Sequence, residues 1–140
     1  MKRYKPEVEI NKRFLPSNII SKHLKLKSIV AINSAMGTGK TEALKSVIEE
    51  HCKDHGLLML GTRNALLMQS CERLNIYHLR NDEASLFMKD RLSMIANCFD
   101  SLPRWDDEDL KNRIIVIDEI SSAIPHLQAG ATCKKHRVLY

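Results

Sequence analysis

The stretch "SIVAINSAMGTGKTEAL", residues 28–44, decides how this chain is read. Its first six residues, 28–33, form a short apolar, β-branched run that predicts a buried strand. A glycine-containing turn follows, and then a helix from about Lys40, with Ala43, Leu44, Val47, Ile48 and Cys52 recurring at steps of three and four. Strand, turn and helix in this order are the setting of a phosphate-cradling loop. Such a loop needs backbone N–H groups converging on the anion and small residues that permit close approach. Gly37 and Gly39 supply that freedom. Lys40 brings a point charge to the β and γ phosphates, and Thr41 offers a hydroxyl to Mg²⁺. Ser34 stands where the usual pattern has its first glycine. It is small, so the cradle Ser34, Ala35, Met36, Gly37, Thr38, Gly39, Lys40 and Thr41 is expected to work as a nucleotide site.

The second informative run is "RIIVIDEI", residues 113–120. Four apolar residues lead a strand into Asp118 and Glu119 at its C-terminal end, the edge where ligands bind in open α/β sheets. Asp118 is the candidate Mg²⁺ residue, acting through water. Glu119 is the candidate for polarising an attacking water, with Lys40 the second catalytic candidate. The alternative is a strand-end turn with two solvated acids. An acidic pair here fits an NTP-hydrolysing motor or switch better than a small-molecule kinase, which would also need an arginine-rich lid segment.

Between these runs, strands and helices alternate. Residues 57–62 predict a second apolar strand, with Gly56 before it in a helix-capping place. Residues 64–74 predict a helix with Leu67, Cys71 and Leu74 on one stripe, and 76–79 a short strand. Residues 83–92 predict a helix, 93–98 a strand, 113–118 the clearest buried strand, and 119–124 a helix that Pro125 ends or kinks. Pro103 and the run "DDED" (106–109) read as a solvated acidic loop. The expected class is α/β: a mostly parallel sheet with helices on both faces.

Composition agrees. The chain has 140 residues, 44% hydrophobic and only 5% aromatic, which suits one domain with an aliphatic core. Twenty-two Lys and Arg against 17 Asp and Glu give a net charge of +5, compatible with a polyanionic partner and with ordinary solubility alike. Cys52, Cys71, Cys98 and Cys133 lack Cys-x-x-Cys spacing and read as reduced thiols rather than zinc ligands. The charged N-terminus carries no signal-like apolar stretch, and no run reaches membrane-spanning length. A cytoplasmic protein with no membrane association is expected.

The segment "GTRNALLMQSCERL" (61–74) closes a strand and opens a helix. A helix start carrying Thr62 and Arg63 can hold a phosphate of a bound strand, or can simply be a basic helix start. The order of "SAMGTGKTEAL", "LGTRNALLMQSCERLNIY", "CFDSL" and "VIDEISSAIPHL" resembles the first motor domain of a superfamily 2 helicase. More narrowly it is similar to the helicase part of cyanobacterial-type plasmid replication proteins and to herpesvirus-type origin-binding helicases.

The resemblance spans roughly residues 5–140. It implies a basic lead-in at 1–26 and a RecA-like P-loop NTPase domain at 27–140. It further implies ATP and Mg²⁺ as cofactors, single-stranded DNA as the track, and strand contacts by Thr62, Arg63, Gln69, Asp100 and Ser101. Such motors complete the ATP site with an arginine from a second RecA-like domain, in cis or in trans. No counterpart of that second half follows residue 119. If this chain supplied its own cation, Arg104, Arg113 and Arg137 would be the candidates. The competing expectation is a stand-alone P-loop ATPase module, regulatory or packaging in role, without translocation.

Overall fold

The computed structural model describes residues 5–25, 29–79, 89–121, 124 and 125. The chain forms two compact units, Met1–Val47 and Ile48–Tyr140.

In the first unit an irregular lead-in reaches α1 (Ile19–Leu24), whose Ile20 and Ser21 are buried. Residues 29–35 then run without regular structure into a turn and α2 (Lys40–His51), which enters the second unit. The strand expected at 28–33 is not formed over residues 29–33; Ser28 lies outside the described residues. Ile29 is 86% exposed and Ile32 38% exposed. β-branched side chains favour extended backbone, but a strand exists only where a neighbour completes its hydrogen bonds. The described sheet offers this segment no such pairing. Helix α2 matches its expected start, with Ala43 and Val47, four residues apart, fully buried.

The second unit is built on a four-stranded parallel sheet. Its strands are β1 (Gly56–Gly61), β2 (Tyr77–His78), β3 (Met94–Cys98) and β4 (Arg113–Ile117), in the order β2-β3-β1-β4. Leu57 to Gly61 pair with Met94 to Cys98 on one side, and Gly56 to Leu60 with Arg113 to Ile117 on the other. All six residues of β1 are buried, as a continuous apolar run predicts for a central parallel strand.

Successive side chains alternate faces. Leu58 and Leu60 join Leu79, Ile95, Phe99 and Trp105 in one core cluster, with Leu102 and Leu110 at its margin. The other face belongs to α3 (Asn64–Leu74). A Cβ on Gly61 would stand 3.2 Å from Leu67 Cδ1, which puts α3 over the Leu57, Met59 and Gly61 side. Its buried stripe is Leu67, Cys71 and Leu74, each worth roughly 1.5–3 kcal/mol of burial for a leucine-sized side chain. Burial pushes the Cys71 thiol up to about 11. Asn75, left-handed at φ 55°, caps α3, its N–H bonded to the Cys71 carbonyl.

Three expectations need correction. β4 is an edge strand and not deeply buried: Ile115 is 46% and Ile117 43% exposed. The acidic loop is instead a 3₁₀ helix, Phe99–Arg104, followed by α4 (Asp107–Leu110). Asp106 accepts from the Asp109 N–H at 2.8 Å and the Asp109 carboxylate accepts from the Asp106 N–H, a capping box with aspartate at both ends. Gly56 opens β1 and caps no helix, since α2 stops at His51. Of the helix expected at 83–92, residues 83–88 lie outside the described ones, and Arg91 and Leu92 form a turn. Beyond β4 the backbone is helical at 120–121 and 124–125. No helix among the described residues is long and apolar enough to cross a membrane.

Gly56 is held by close approach. A Cβ there would collide with the Arg91 carbonyl oxygen and lie 3.0 Å from that of Ser93. Neither is a side chain that can swing away. Gly56→Ala is expected to destabilise the fold by about 3 kcal/mol, read as a lower urea midpoint with an unchanged slope.

Candidate functional site

The loop at 34–39 is closed by its own polar groups. Gly37 and Gly39 sit at φ 72° and 84°, the left-handed region that other residues enter at a cost. No heavy atom lies within 4 Å of a Cβ built on either, so backbone conformation and not space demands glycine. Thr38 Oγ1 donates to Ser34 Oγ and to the Ala35 carbonyl, both at 2.9 Å. Lys40 Nζ donates to the Ser34 carbonyl at 3.0 Å and the Ala35 carbonyl at 3.2 Å. Ser34, the departure from the glycine pattern, is therefore a working part of the loop: its hydroxyl and its carbonyl both take hydrogen bonds. Met36 is 96% exposed at the turn.

This arrangement fits a polyphosphate. A 12-residue helix begins at Lys40, its N-terminal N–H groups facing the loop end. The ammonium rests on carbonyls that bind it more weakly than an ionised phosphate would. Thr41 is half-buried at the second helical position. Mg²⁺ keeps several of its waters. One hydroxyl, that of Thr41, would be a sufficient protein contribution from this unit. Among the described residues no group of three or more His, Cys, Asp or Glu forms a metal cluster.

In the second unit, parallel strands send their successors to one edge. Thr62 and Arg63 follow β1, Phe99 to Ser101 follow β3, and Asp118 and Glu119 follow β4. Asp118 N–H donates to the Leu60 carbonyl at 3.0 Å, carrying the pairing one residue past β4. A cleft with room for about one water, about 10 Å³, is lined by Gly61, Thr62, Arg63, Leu66, Leu67, Asp118 and Glu119. Glu119 is left-handed at φ 51°, a strained conformation for a side chain with a Cβ. Arg63 is the N-cap residue of α3 but makes no side-chain cap, so the first N–H groups of that helix are not covered by it. Cys98 Sγ donates to Asn64 Oδ1 at 2.7 Å, tying the end of β3 to the start of α3. Burial, then Asp100, pushes the Cys98 thiol up.

The remaining candidates divide. Gln69 is exposed on α3 and does not line the cleft. Asp100 is exposed in the 3₁₀ helix, while Ser101 is only 9% exposed. Phe99 and Leu102, from the same "CFDSL" run, belong to the core. Half of that run is therefore packing, which its apolar residues could have signalled. Lys40, Ser34 to Gly39 and Thr41 lie in the first unit, and Asp118 and Glu119 in the second.

Arg113 is the clearest negative among the candidate cations. It starts β4, five strand residues and about 16 Å from Asp118 at the other end. Its guanidinium donates to the carbonyls of Asp109 at 2.8 Å, Ser93 at 2.9 Å and Asp90 at 2.7 Å, and lies 5.4 Å from the Trp105 ring centre. Burial draws its ionisation below the ordinary arginine value, while Asp90 and Asp109 draw it back. It staples the start of β4 to β3. Arg104 is exposed in the 3₁₀ helix, and Arg137 and Cys133 lie outside the described residues.

Arg113→Ala removes a guanidinium bonded to three carbonyls and is expected to cost about 3 kcal/mol. Thermal unfolding checks it, as a lower midpoint than that of the unsubstituted protein. No protein-family model, curated protein or solved structure matches this chain.

Proposed function

We propose that this chain is the nucleotide-binding, RecA-like part of a DNA helicase motor of the plasmid, phage or viral replication type. It would take Mg-ATP in the 34–41 loop and single-stranded DNA at the edge that holds Thr62 and Arg63. The observation that carries the reading is the loop: two left-handed glycines flank Thr38, and Lys40 closes over the Ser34 and Ala35 carbonyls at the start of α2. The parallel α/β architecture supports it, as does the shared edge of Thr62, Arg63, Asp118 and Glu119.

In this reading Lys40 leaves its loop carbonyls for the terminal phosphates, and the loop N–H groups hold the rest of the chain of phosphates. Thr41 would hold Mg²⁺ beside the loop. When bound, the ion would neutralise charge on the β and γ phosphates. Glu119 orients a water and takes up its proton. Arg63 and the uncovered start of α3 grip a backbone phosphate of the strand. A second RecA-like domain, in cis or in trans, supplies the further cation, since Arg113 is spent on β4 and Arg63 is assigned to the strand.

Calorimetry with Mg-ATP tests the loop. Lys40→Ala is expected to weaken binding by about 1.5–3 kcal/mol, the worth of a charge-assisted contact. Equal affinities for the two proteins would remove the proposal. The track is tested separately. Arg63→Ala should weaken single-stranded DNA binding about equally across sequences and lower the log–log salt slope by about one unit at most. A loss confined to one sequence would instead make Arg63 a base reader.

A further inference from the structure

We infer that the exposed cations of the lead-in hold the phosphate backbone of a nucleic-acid strand, a contact separate from the edge at Thr62 and Arg63. The inference rests on the reading above for one thing, the identity of the polyanion. The charge of the chain is unevenly placed. Residues 1–27 carry eight Lys and Arg against two Glu, a net charge of +6. Residues 28–140 carry 14 Lys and Arg against 15 Asp and Glu, a net charge of −1. The positive excess of the whole chain thus lies ahead of the phosphate loop. Lys5, Lys12, Arg13, Lys22 and Lys25 are all exposed. The two acids of the stretch, Glu7 and Glu9, are exposed as well. Among the described residues no ion pair engages Lys12, Arg13 or Lys22. The Arg13 guanidinium lies over the Phe14 ring, 5.2 Å from its centre, which holds it in place without using its N–H groups.

These cations stand on a fastened backbone. Leu15 N–H donates to the Thr38 carbonyl at 2.8 Å, Ile19 N–H to the Pro16 carbonyl at 3.1 Å and Lys22 N–H to the Asn18 carbonyl at 2.9 Å. The segment therefore loses less freedom on binding than a loose basic tail would. Lys22, in the last turn of α1, also suits the helix dipole. Lys5, Lys12 and Arg13 stand outside any helix, so the dipole does not account for them. Cations spread along a chain suit a polymer of regularly spaced anions better than a lone phosphate, and a strand of DNA carries one charge every ~3.4 Å. A bilayer surface fits less well. Helix α1 is six residues long and turns Ile20 inward, 7% exposed, unlike the amphipathic helices that lie in a membrane interface.

The test is fluorescence anisotropy of a labelled oligothymidylate with the full chain, read as affinity against salt. Lys12→Ala, Arg13→Ala and Lys22→Ala together are expected to lower the log–log salt slope by about two units, since each phosphate neutralised on a single strand contributes about 0.7. Lys12→Arg with Lys22→Arg keeps the charge and should keep the wild-type slope. A slope that the triple substitution leaves unmoved, or that falls in the charge-preserving variant, would overturn the lead-in contact. A slope lowered by the triple substitution and not by Arg63→Ala would uphold the lead-in and remove the edge at Arg63. Vesicles containing phosphatidylserine are the second probe, and wild type should bind them more weakly than DNA at the same salt. Vesicle binding that the triple substitution abolishes, with DNA binding intact, would overturn the nucleic-acid assignment. No DNA binding by wild type would overturn the lead-in contact and the strand reading together.

Discussion

The pairing of β1 on both of its edges governs the second unit. Gly56 to Gly61 is buried throughout and is hydrogen-bonded to β3 on one side and β4 on the other, all three strands running the same way. Because the strands are parallel, whatever follows them emerges together. Thr62 and Arg63, the 3₁₀ helix after Cys98, and Asp118 with Glu119 therefore share one edge, although they are far apart in sequence. The opposite edge is structural. Arg113 there ties β4 to the carbonyls of Ser93 and Asp90, and Gly56 fits against the Arg91 carbonyl. One end of the sheet is locked by backbone contacts, and the chemically able side chains collect at the other.

The first unit is organised by a different constraint, the left-handed backbone at Gly37 and Gly39. That geometry turns the chain sharply enough for Lys40 to reach back over Ser34 and Ala35. The partners of the lysine are neutral carbonyls, with which an ionised phosphate would compete. Charge-assisted hydrogen bonds are roughly twice as strong as neutral ones, so the exchange favours the phosphate. Glu119 carries its own backbone strain at φ 51°, of order 1–3 kcal/mol for such an outlier. Strain held at the end of β4, beside Arg63 and Thr62, is what a residue kept for a task would show.

Much of this was legible in the residues. The apolar run at 57–62 reads as a strand, and the Leu67, Cys71, Leu74 stripe marks α3. Other features were not, and each for a physical reason. Residues 29–33 have strand composition, but composition cannot supply the neighbour whose N–H and C=O groups make a strand. β4 looked wholly buried because edge and centre differ in pairing, not in hydropathy. The capped turn at Asp106–Asp109 was hidden by charge: four acids in a row read as solvated loop, yet two of them cap and are capped. Gly56 was mistaken for a helix cap, when its role is the approach of the Arg91 carbonyl from a segment 35 residues later in the chain. Of the candidate site, the loop and the acidic pair came from spacing alone. The strapping of Leu15 to Thr38 had no sequence signal, because a backbone hydrogen bond leaves none.

The central claim is that the 34–41 loop is a polyphosphate cradle, and backbone amide resonances report on it directly. In a ¹H–¹⁵N correlation experiment, Mg²⁺ with a non-hydrolysable ATP analogue is titrated into the uniformly labelled chain. Saturable shifts of the Gly37, Thr38, Gly39, Lys40 and Thr41 amides are expected, with Arg113 remaining still. Saturable shifts that leave residues 37–41 unmoved, or no shifts at all, would contradict it.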